Sequence, residues 1–74
     1  MIYKVSYVVL GGRRPGAIVN RDTPPRLGEV VVLGQDQFEV VEVTDLIPPQ
    51  GDFAYLHVTL RPVSEDVDDL STHL

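Results

Sequence analysis

The sequence predicts an all-β fold: a small antiparallel, partly open barrel of four or five strands, SH3-like as the first comparison and OB-like as the second. Three observations predict it. Several segments alternate apolar and polar residues with a period of two. The alternating residues are mainly β-branched or aromatic, which suits a pleated surface. Gly- and Pro-rich stretches interrupt these segments at short intervals.

The first strand is expected over 2–10, with Tyr3, Val5, Tyr7 and Val9 on one apolar face. The stretch GGRRPG ends it, because Gly and Pro break a strand ladder. An unstructured link from there to the next clear strand would be unusually long for so small a domain, so 17–20 is read as a short strand. Pro24, Pro25 and Gly28 then shape a turn. Residues 29–33 and 38–44 form a hairpin around 34–37, where Gly34 and Asp36 supply turn chemistry. Both of these strands are apolar on two sides, so each is buried twice or covered by another chain. Residues 45–52, with Pro48, Pro49 and Gly51, read as a loop. Residues 53–61 show the cleanest alternation, and Pro62 closes that strand. The domain thus spans 1–63. Residues 64–74 form an acidic tail or a short helix capped by Ser64, with Val67, Leu70 and Leu74 on one face.

With 74 residues and no cysteine, the chain has one core and no disulfide or Cys-type zinc staple. Two histidines exclude an all-histidine metal cage. Asp66, Asp68 and Asp69 do not match a calcium loop. No metal or cofactor is expected. No apolar stretch reaches the roughly 18 residues of a membrane span, and the N-terminal run lacks a signal-peptide pattern. The cysteine-free composition fits a reducing compartment, so the reading is cytoplasmic and without a membrane partner.

The net charge of −5 hides an asymmetry. Residues 1–27 net +4, from Lys4, Arg13, Arg14, Arg21 and Arg26 against Asp22. Residues 28–74 net −9, from ten acids against Arg61. Such a split gives a dipolar surface or an internal match of opposite patches.

Gly11 and Gly16 have the spacing of a phosphate loop, but Ala17 and Ile18 stand where Lys and Ser/Thr belong. The Arg13/Arg14 tip is therefore a charged turn that orients an acidic partner, not a nucleotide cradle. No catalytic residue is expected: there is no Cys nucleophile, no serine sits in a G-x-S-x-G elbow, and His57 is a lone strand histidine.

The strand 53–61 carries the most informative pattern. Ala54, Leu56, Val58 and Leu60 form a core face, which leaves Phe53, Tyr55 and His57 on the other. Those rings are either covered within the fold or exposed as an interface. The functional expectation is a non-enzymatic protein-interaction module or subunit of a larger assembly, binding a protein partner or its own kind. Its candidate surface is Phe53, Tyr55, His57, Arg13 and Arg14. The alternative is RNA or single-stranded DNA binding, with the same rings stacking on bases and Arg13, Arg14, Arg21 and Arg26 meeting phosphates.

Overall fold

The computed structural model describes residues 1–11 and 15–63. Among them the fold is all-β, a single five-stranded sheet curled into a half-barrel. The strands are β1 (Ile2–Val9), β2 (Ala17–Arg21), β3 (Val30–Leu33), β4 (Asp36–Gln50) and β5 (Phe53–Pro62), in the order β2-β1-β5-β4-β3. Three pairings are antiparallel as expected, but the fourth, β1 with the central strand β5, is parallel. No local pattern encodes that pairing, because it joins strands from opposite ends of the described chain. The expected tail or helix over 64–74 lies outside the described residues.

Alternation places the core. Val5, Tyr7 and Val9 of β1 lie in register with Leu56, Val58 and Leu60 of β5, and Phe38 and Val40 of β4 join them. Tyr3, Val19, Val31, Leu33 and Val43 pack around this group, half-buried. The inner face is thus closed with apolar side chains, and no polar side chain among the described residues is buried in it.

β4 corrects the expected loop over 45–52. It runs through that segment to Gln50 and turns into β5 across the two residues Gly51 and Asp52. Its register with β5 shifts between Val40 and Glu42, between Asp45 and Ile47, and between Ile47 and Gln50. At each shift an extra residue is accommodated as a bulge. The first bulge lets Val43 share the inner face with Val40, although three positions separate them. Pro48 and Pro49 fall in the last shift, beyond the stretch of β4 that β3 covers, where a missing N–H breaks no ladder. The expected turn over 34–37 is also shorter. Leu33 already pairs with Asp36, leaving a two-residue loop of Gly34 and Gln35.

The link from β2 to β3 ends in a tight device at Gly28. Glu29 donates its N–H to the Arg26 carbonyl (3.1 Å), and Gly28 takes φ of 84°, as the third position of a type II turn requires. Gly28 also donates to the Val40 carbonyl, while Val40 donates to the Glu29 carbonyl. This is the hydrogen-bond pattern of a glycine-headed bulge, and it fixes the entry and register of β3.

Candidate interaction surface

The outer face of the sheet is built in rows across β1, β5 and β4. Phe53 lies between Ile2 and Gln50, and Tyr55 between Lys4 and Ile47. His57 lies between Ser6 and Thr44, and Thr59 between Val8 and Glu42. This placement follows from the period of two: residues 54, 56, 58 and 60 are buried inward, so 53, 55, 57 and 59 turn outward.

The face is graded. At the Phe53 end it is apolar, with Ile2, Ile47 and Phe53 all exposed. The Lys4 ammonium stands 5.6 Å from the Tyr55 ring centre, a cation–π distance that orients the ring. At the other end polar pairs stand among exposed valines, Val8 on β1 and Val30 and Val32 on β3. Thr59 donates to the Glu42 carboxylate (3.2 Å), and Arg61 pairs with Glu39. Phe53 is 39% exposed, while Tyr55 and His57 are half-buried by their strand neighbours. All five described strands belong to one sheet, so no described element forms a second layer over this face.

The structure thus brings Phe53, Tyr55 and His57 onto one surface. Arg13 and Arg14 lie outside the described residues. Gly11 and Pro15 flank them, and Leu10 just before donates its N–H to the Leu60 carbonyl, so this link leaves β1 at the end of the sheet remote from Phe53.

Arg21 has a different setting from the one expected of a phosphate contact. Its register partner is Tyr3, which places it on the inner face, at the end of the core. It pairs with Glu29 (2.8 Å) and donates to the Tyr7 hydroxyl oxygen (2.9 Å) and to Thr23 (3.4 Å). Burial lowers its pKa, but the hydrogen bonds it donates to Glu29 and Tyr7, with their attraction for the cation, outweigh this and hold it above the ordinary arginine value. With a raised pKa, the contribution of this charge is complete below the unfolded-state value and is lost only as pH rises through the still higher folded value. Arg21 therefore stays charged through the neutral range, and the pair acts as a clasp between the end of β2 and the start of β3. Sequence reading missed it because its two members come together only when the link between the strands folds. Tyr7→Phe, which removes one acceptor from this cation, should cost about 1–2 kcal/mol in urea unfolding. A stability equal to wild type would show that the hydroxyl is dispensable to the clasp.

Ser6 and Thr44 stand opposite His57, so neither neighbouring strand sets a carboxylate directly across from it. Among the described residues no group of His, Asp and Glu is arranged to hold a metal ion. No described helix is long and apolar enough to cross a membrane. The chain matches no protein-family model, no curated protein and no solved structure.

Proposed function

We propose that the chain is a non-enzymatic, cytoplasmic protein-interaction module, or a subunit of a larger assembly, which binds through the outer face of its half-barrel. One observation carries the reading: the Phe53 ring stays exposed beside Ile2 and Ile47 on a strand whose opposite face is fully buried. An apolar cluster with a polar margin is the anatomy of a protein contact, and aromatic side chains are its usual anchors. Lys4, Glu42 and the Arg61–Glu39 pair set orientation along the margin. The SH3-like comparison supports the reading as architecture alone, since barrels of that kind host many functions.

The nucleic-acid reading has less support. Arg21 is committed to Glu29 and Tyr7, and Arg61 is paired with Glu39. The test is a chemical crosslinking and pull-down series using wild type, Phe53→Ala and Tyr55→Ala. Both variants should fold, and both should lose captured protein by tenfold or more, an effect of roughly 1.4 kcal/mol or above. Oligonucleotide binding that weakens with salt, together with unchanged protein capture by the two variants, would replace this reading with the nucleic-acid one.

A further inference from the structure

The edges of the sheet are β2 and β3. Exposed edges in natural proteins usually carry Lys, Pro or a bulge that discourages pairing. β3 carries none of these within its span, Val30, Val31, Val32 and Leu33. Its backbone direction follows from the bulge at its entry. Glu29 accepts from Val40, and the alternation from that point turns the N–H and C=O of Val31 and Leu33 toward β4. The backbone groups of Val30 and Val32 therefore point to the open edge. The same two residues have side chains on the outer face, and they are 55% and 59% exposed. Among the described residues no strand pairs with these groups, so open backbone polarity and exposed apolar side chains coincide on one short strand.

We propose that β3 is a self-association edge, where a second copy of this chain adds antiparallel across a two-fold axis at Val31. In that register Val30 of one copy faces Val32 of the other, and each such pair exchanges both of its outward hydrogen bonds. Val31 meets Val31 on the inner side. Glu29 falls opposite Leu33, so no like charges are opposed. The strand is thus complementary to itself, which a two-fold contact demands and a foreign peptide does not. β2 lacks this property. Its one strongly exposed apolar residue, Ile18, would meet Asn20 in the equivalent arrangement. So short an edge buries less than the about 1,200 Å² of a standard stable interface, so the dimer is reversible. Two copies of net charge −5 repel each other, so added salt strengthens the association.

The experiment is light scattering and sedimentation of the full chain across concentration and salt series. Wild type should rise from 8.2 kDa toward twice that mass with concentration, and further with salt. Val32→Pro removes an N–H that points outward and spares the β3–β4 ladder, so the variant should stay folded and monomeric. Val32→Lys sets a cation on the same edge and should also be monomeric, which covers the case in which the proline variant fails to fold. Phe53→Ala should dimerise like wild type, which separates this edge from the outer-face reading. A wild-type mass of 8.2 kDa at every concentration overturns the proposal. So does a folded Val32→Lys that associates like wild type, or a dimer dissolved by Ile18→Lys or Phe53→Ala and not by Val32→Lys.

Discussion

Leu60→Ala should destabilise the domain by about 3–5 kcal/mol, close to the loss of independent folding. Leu60 has no solvent exposure and stands in the central strand, with Val9 on one side and Val40 on the other. Removing its branch leaves a cavity walled by two backbone ladders that cannot collapse into it. A domain of this length is stable by only on the order of 4–11 kcal/mol, so the variant loses between about a quarter and all of that margin. Urea unfolding followed by circular dichroism gives the answer, with Leu60→Met as a volume-conserving control that should cost under about 1.5 kcal/mol. Equal midpoints for Leu60→Ala and wild type would mean that this position is not the packing centre.

The second large effect is expected at Gly16, for a reason unrelated to hydrophobic burial. A Cβ there would lie 2.0 Å from the Tyr7 carbonyl oxygen, which is backbone and has no rotamer to escape into. Gly16→Ala must therefore push β2 away from β1 at the point where Ala17 pairs with Tyr7. A cost of roughly 3 kcal/mol follows, or a fall in Tm of about 12–24 °C for a domain of this size. Gly28→Ala makes the contrast. Nothing lies within 4 Å of that Cβ, so only the positive φ is penalised, by about 1–2 kcal/mol. A thermal melt in which the two variants fall together would show that β2 yields at Gly16 without strain.

Much of this molecule was legible in its sequence, and the failures have identifiable causes. β1 and β5 are read from period-two alternation because each is regular along its length. The outward placement of Phe53, Tyr55 and His57 follows from the same rule. β4 escapes it because its bulges break the period. The trace they leave is the apolar spacing Phe38, Val40, Val43, which slips by one residue. Pro48 and Pro49 then disguise a strand end as a loop, since a proline is tolerated where no neighbour needs its N–H. The edge position of β3 depends on strand order, which local pattern does not carry. Residues that read as doubly buried are therefore half-buried on one side and exposed on the other.

The parallel pairing of β1 with β5 has a consequence in time rather than in space. The central strand, β5, is the last in sequence and pairs with the first, and it is needed before β1 and β4 have anything to share. A chain emerging from the ribosome can form the β3–β4 hairpin early, but it cannot close its core until Leu60 is free of the exit tunnel. Ordering so long an intervening segment before any reward is received gives a high contact order, and so folding in milliseconds to seconds instead of microseconds. During synthesis, β1 can take β2 on one side, but its other edge waits bare for β5.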